Sequence, residues 1–241
     1  MNFNTFYSKN NGFFSFTREK ASSFAKAIAG DFNPIHDPES SRFCVPGDLL
    51  FTLMLKEIGL YNKMSFKFSG MINEQHQLQL SQVENKISLI DNDKKSYLDL
   101  TKEGKIFKNE VIIDRIIDQY VKFSGKNFPE ILVPIMQAHN VMISPDKPLV
   151  IYESMKIEFS DFSLLDKSLK LELSDSILEV KGKRAIERLV FNFICGNKTI
   201  GKGEKIMLLS GLRAFDINKL QKLIDQIVNK RNRYQQRISN D

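Results

Sequence analysis

The chain has 241 residues, which leaves room for one large domain or two of about 120 residues each. With 42% hydrophobic and 27% charged residues it has enough apolar content to fold, which excludes a disordered chain. Two cysteines, Cys44 and Cys195, exclude a disulfide scaffold and a four-cysteine zinc site.

The net charge of +6 suits anionic small molecules or acidic carrier proteins as well as nucleic acid. No aromatic-and-basic RNA-binding motif is present, so no nucleic-acid partner is expected. The longest apolar stretch, Leu49 to Leu55, is broken by Thr52 and falls far short of the roughly 20 residues of a membrane span. Met1 to Asn10 lacks a basic-then-apolar signal, so a cytoplasmic protein is the expectation.

Phe13 to Phe16 reads as a short strand. Thr17 stands at an N-cap, and Ala21, Phe24, Ala25 and Ile28 follow a helical stripe that ends at Gly30. A polar loop with Pro34 and Pro38 runs from Asp31 to Val45. A second helix, about Pro46 to Leu60, is apolar on nearly all faces and must be buried. From Met64 to about Val111 the pattern is β-like. Apolar pairs (Phe66 and Phe68, Leu78 and Leu80, Ile87 and Leu89, Tyr97 to Leu100, Ile106 and Phe107) are separated by turn residues, which predicts an antiparallel sheet.

The order then repeats. Ile112 to Phe123 is striped as a helix, a loop holds Gly125 and Pro129, and an apolar helix is predicted around Ile131 to Met142. Strands are predicted at Met155–Phe159, Leu169–Leu173, Ile177–Val180, Ala185–Ile194 and Lys202–Leu209. A basic amphipathic helix closes the chain from Asp216 to about Ile238. Ala29 to His36 lies 95 positions before Ser124 to Ile131, with Gly30 on Gly125 and Pro34 on Pro129. This reads as a diverged internal duplication, with units 1–111 and 112–213 and a helical tail 214–241. Asp31 falls on Lys126 and His36 on Ile131, so a single site is expected, in the first copy.

The stretch Ala29-Gly30-Asp31-Phe32-Asn33-Pro34-Ile35-His36 resembles the signature of the hotdog-fold, MaoC-like enoyl-thioester hydratases and dehydratases. In that signature a Gly is followed by Asp, any residue, Asn, Pro, an aliphatic and His. The order of elements fits over roughly residues 13–210, while strong residue identity covers about 29–51. Asp31 to Leu50 also looks like an uncharacterised bacterial protein family.

The hydratase resemblance implies an α+β double hotdog. Two antiparallel sheets would each wrap a long central helix, and a C-terminal helix would follow. It implies hydration or dehydration of 2-enoyl or 3-hydroxyacyl thioesters, with no cofactor beyond the coenzyme A or acyl carrier protein that bears the acyl group. Asp31 and His36 would be the acid/base pair and the Gly47 N–H the oxyanion donor. Asn33 and Pro34 would shape the loop, and Leu50, Phe51 and Met54 would line the acyl chain. No metal is implied. The protein would be a pseudo-dimeric monomer or a homodimer of such units. Pro46 replaces the family's usual His before the glycine, and the loop from His36 to Gly47 is shorter than the family's. A catalytically silent acyl-CoA-binding module is the alternative. Cys44, beside His36, is read as a small structural thiol rather than a nucleophile.

Overall fold

The computed structural model describes residues 2–240, with side chains described through Arg237. A 3-10 turn (Phe3–Phe6) precedes the short strands β1 (Ser8–Asn10) and β2 (Phe13–Ser15). Helix α1 (Arg18–Ser23) runs into a π-helical segment, Phe24–Ala29. Then come α2 (Gly47–Ile58), β3 (Leu60–Phe68), β4 (Leu78–Val83), β5 (Lys86–Ile90) and β6 (Ser96–Phe107). The second half has α3 (Glu110–Gly125), a π segment (Asn127–Ile131), α4 (Leu132–Ala138) and β7 (Val141–Met142). It continues with β8 (Leu149–Phe159), β9 (Lys170–Lys181), β10 (Arg184–Cys195), β11 (Lys198–Ser210), β12 (Arg213–Ala214) and α5 (Ile217–Asn240).

The protein is mixed α and β, with one large antiparallel sheet and several helices. Instead of two separate sheets, ten strands form one, in the order β1-β2-β4-β5-β6-β3-β8-β11-β10-β9. The halves join where β3 pairs antiparallel with β8, from Lys63 opposite Glu158 to Lys67 opposite Ser154. Neither strand can stop at the boundary, because each carries backbone donors and acceptors that the other satisfies.

Four strand boundaries differ from the sequence pattern for one reason. Tyr97–Leu100 and Ile106–Phe107 belong to a single strand, β6, whose register against β3 shifts between Tyr61 and Lys63. Leu169–Leu173 and Ile177–Val180 likewise merge into β9, with a shift opposite Val190 and Phe191. Each irregularity breaks the alternation as a turn would, yet the chain runs straight on.

The first core cluster centres on α2, whose Leu49, Phe51, Leu53, Met54 and Leu55 are fully buried. Phe51 packs against Phe66 at 5.3 Å and Tyr120 at 4.6 Å between ring centroids. Burying such a ring contributes roughly 1.5–3 kcal/mol. The apolar helix expected to play this part in the second half is short. The expected Ile131–Met142 helix shrinks to α4, because Phe128 breaks helical geometry before it and His139 and Asn140 end it. Helix α5 supplies the missing cover. Its Leu220, Leu223 and Ile227 join Leu132, Met136 and Leu209 in the second cluster.

Candidate active site

The Asp31 loop is folded by its own side chains. Thr17 Oγ1 caps α1 by accepting the Lys20 N–H at 3.2 Å. Gly30 takes the left-handed conformation, φ +70°, that ends the helical run. Asp31 Oδ1 then accepts the Asn33 N–H at 2.8 Å, and Asn33 Oδ1 accepts the Ile35 N–H at 3.1 Å. These two Asx turns, with Pro34 opening one 3-10 turn, carry the chain to His36. Asn33 and Pro34 therefore build the loop.

His36 is anchored from behind. Its Nδ1 lies 2.7 Å from the Cys44 carbonyl, which can only accept, so Nδ1 carries the proton. The Cys44 N–H donates to Ile35 O at 3.0 Å and closes the loop back on itself. Nε2 is left facing Asp31 Oδ2 at 3.5 Å. The imidazole is largely covered and the carboxylate about a third exposed. The structure thus brings Asp31 and His36 together, with their free acceptor atoms turned to one point.

Gly47 opens α2 directly after the buried Pro46. The first N–H of a helix has no intrahelical partner, and the helix dipole adds positive potential there. A Cβ at Gly47 would sit 2.6 Å from Cδ1 of Tyr152, a residue of β8, so the second half closes this corner. Leu50, Phe51 and Met54 are 3%, 0% and 0% exposed and pack into the core cluster. Burial pushes the Cys44 thiol up to about 11, so it remains protonated at neutral pH.

Two further contacts hold the loop. Arg18 donates to the carbonyls of Pro38 and Ser40 at 2.8 and 3.0 Å. Asp37 pairs with Lys26 at 2.9 Å and with Lys230 of α5 at 2.5 Å. These cations outweigh burial and hold its carboxyl below the usual range. Phe32 packs edge-on against Tyr234 of α5, at 5.7 Å.

The sequence pattern did not single out a buried polar cluster behind the site. Ser124 Oγ donates to Asp48 Oδ2 at 2.6 Å, and Lys205 Nζ donates to Ser124 Oγ. The Tyr120 and Tyr152 hydroxyls share a hydrogen bond. Asn127 Nδ2 donates to Glu187 Oε2 at 2.8 Å. The Glu187 and Lys205 signals lay in strand phase. Glu187 falls in step with Ala185, Leu189 and Phe191, and Lys205 with Gly203, Met207 and Leu209, all on the buried face. In the segment Ser124 to Ile131, Ser124 and Asn127 are the buried polar residues.

A family model described as "Protein of unknown function (DUF3581)" matches residues 1–218. The chain belongs to this family. The match spans the Asp31 loop, helices α1 to α4 and the whole ten-stranded sheet, and stops at the start of α5. No curated protein sequence matches the chain. Among solved structures, the family member is similar to a tesB protein of Mycobacterium avium subs paratuberculosis, at 7% identity and TM-score 0.44, covering 84% of this chain and 95% of that one. It is similar to a conserved protein of unknown function with hot dog fold from Alicyclobacillus acidocaldarius, at 6% identity and TM-score 0.48, covering 86% and 97%. A MaoC-like dehydratase gives 9% identity and TM-score 0.39, covering 87% and 99%. No helix among the described residues is long and apolar enough to cross a membrane.

Proposed function

We propose that the protein acts on acyl thioesters, adding water to a 2-enoyl thioester or removing it from a 3-hydroxyacyl thioester. The observation that carries this reading is the Asp31 Oδ2–His36 Nε2 approach of 3.5 Å, with His36 Nδ1 tied to the Cys44 carbonyl. Two acceptors facing one point can take the two protons of a water and aim its oxygen outward. That oxygen attacks the β carbon, and one of its protons passes to the pair. The pair returns a proton to the α carbon, so water is added across the double bond with no net change in the enzyme. The charge that builds on the thioester oxygen meanwhile is stabilised by the Gly47 N–H at the positive end of α2. On this reading the fold is a double hotdog with halves 1–111 and 112–213. The acyl group arrives on coenzyme A or a carrier protein, and Leu50, Phe51 and Met54 flank its chain.

The test is hydration of crotonyl-CoA and longer enoyl-CoA substrates, followed by loss of the enoyl absorbance. Asp31→Asn and His36→Ala should each lower the rate by about 10²–10⁴-fold while the fold is kept. Turnover that survives in both variants refutes the assignment.

A second reading is favoured by the packing around Phe51 and Gly47. Tyr120, fully buried, covers the Phe51 ring, and the half-buried Tyr152 lies against Gly47. A module that binds acyl-CoA without turning it over fits this closure. Saturable acyl-CoA binding with no hydration at any chain length would select it.

A further inference from the structure

Asp48 follows Gly47 in the first turn of α2 and is buried. Its Oδ2 accepts from Ser124, while its Oδ1 is sealed from solvent with no hydrogen-bond partner. Lys205 Nζ stands 4.0 Å from that Oδ1, donates to Ser124, and lies 4.2 Å from the centroid of the Tyr152 ring. The same ring meets Gly47. The helix end expected to bind the thioester oxygen is thus backed by a cation, a ring and a carboxylate from three different elements.

The same group reaches the acid/base loop. Ser124 is followed by Gly125, where a Cβ would lie 2.0 Å from Ala29 O and 3.2 Å from the Asp31 amide nitrogen. Two consecutive residues of α3 therefore touch Asp48 on one side and the Asp31 backbone on the other. Asp48 touches Ser124 from α3 and Lys205 from β11, the Tyr120 and Tyr152 hydroxyls feel its charge, and the charges of Asp31 and His36 act on it from the loop. Burial pushes the Asp48 carboxyl up, and the Lys205 charge and the Ser124 hydrogen bond oppose the rise. Asp31 adds to it and His36 opposes it. A buried ion pair with an unmet acceptor does little for stability, and apolar side chains of like volume commonly serve as well or better. Its placement between the two catalytic elements gives it another use.

We propose that Asp48, held by Ser124 and Lys205, is a positioning residue of the Asp31–His36 site, fixing the Gly47 end of α2 and coupling its own charge to the pair. This rests on the reaction proposed above, but the coupling can be read without turnover.

The experiment is a carboxyl titration by NMR on the full chain labelled with ¹³C-aspartate, with the Asp48 resonance assigned by its loss in Asp48→Asn. Neutralising Asp31 with Asp31→Asn should move the Asp48 midpoint to lower pH, and His36→Gln should move it to higher pH. Each shift should be about 0.5–1 pH unit, the scale of a neighbouring charge at an effective dielectric of about 20. In turnover, Asp48→Asn should lower kcat about tenfold or more with KM little changed. The double variant Asp48→Asn/Lys205→Met leaves no unpaired buried charge, so it guards against misfolding and should show the same kcat loss. An Asp48 midpoint that moves in neither variant overturns the proposal, as does a double variant with wild-type kcat. Wild-type protein that hydrates no enoyl-CoA, yet shows the two opposite midpoint shifts, overturns the reaction and upholds the coupling.

Discussion

Replacing Gly125 with alanine tests the contact between the two halves at its tightest point. The added Cβ would lie 2.0 Å from Ala29 O, 2.7 Å from Ala29 C and 3.2 Å from the Asp31 amide nitrogen. Ordinary carbon contacts begin near about 3.5 Å, so one backbone must retreat by ~1.5 Å. No side-chain rotation can absorb this, because both surfaces are main chain. Overpacking of this kind costs about 1–3 kcal/mol. The usual gain of alanine over glycine in a helix, about 0.5–1 kcal/mol, offsets only part of it. The expected net loss is about 1–2 kcal/mol, or a fall in melting temperature of roughly 2–8 °C for a chain of this size. Activity should fall more steeply than stability. Retreat of α3 carries Ser124 away from Asp48 and shifts Asp31, and a displacement of about 1 Å at a reacting group can cost on the order of 10²-fold. Urea unfolding followed by circular dichroism, beside enoyl-CoA turnover, gives both quantities. A Gly125→Ala protein as stable and as active as the wild type would refute the close approach and the inter-half support built on it.

Glu187 should impose a pH slope on stability. Burial pushes its carboxyl up to about 7, against the pull of Asn127 and Lys205, while the unfolded chain titrates near the ordinary 4.5. Between those values the folded chain keeps a proton that the unfolded chain has lost. Stability from this group is therefore fully present below pH ~4.5 and lost as pH rises to about 7, by on the order of 3 kcal/mol. Glu187→Gln should flatten that fall, and an unchanged difference between unfolding free energies at pH 5 and pH 8 would count against it. Leu220→Ala, at a fully buried position of α5, should cost about 2–5 kcal/mol in urea unfolding, and a near-neutral result would show that α5 does not cover the second core. Lys230→Met should change stability by less than about 1 kcal/mol, because its pair with Asp37 is partly exposed and Lys26 remains. A larger loss would mean that α5 is anchored chiefly through that pair.

The features legible in the sequence were those with local causes. Thr17, Gly30 and the Asp31-x-Asn33-Pro34-x-His36 spacing are self-contained hydrogen-bonding units, and they place the two chemical groups within 3.5 Å. The all-apolar faces of α2 announced burial, and the stripe of α5 announced its packing side. Features that depend on distant partners were not legible. The β3–β8 pairing that fuses the sheet is a match between strands roughly 90 residues apart in sequence, set by backbone complementarity rather than side-chain pattern. The Tyr152 ring against Gly47 and the Lys205–Ser124–Asp48 contacts arise only when the second half folds over the first. Glu187 and Lys205 could have been found by noting that a charge in phase with buried strand positions needs a partner.

The central claim is that Asp31, His36 and the Gly47 amide converge on one thioester. A crystal structure with a bound 3-hydroxyacyl-CoA tests it most directly. The account predicts the thioester oxygen within hydrogen-bond reach of the Gly47 N–H, and the 3-hydroxyl within reach of Asp31 Oδ2 and His36 Nε2. Tyr152 or the Phe51–Tyr120 pair should be shifted to admit the chain. An acyl group bound elsewhere, with Asp31 and His36 facing only solvent, would contradict it.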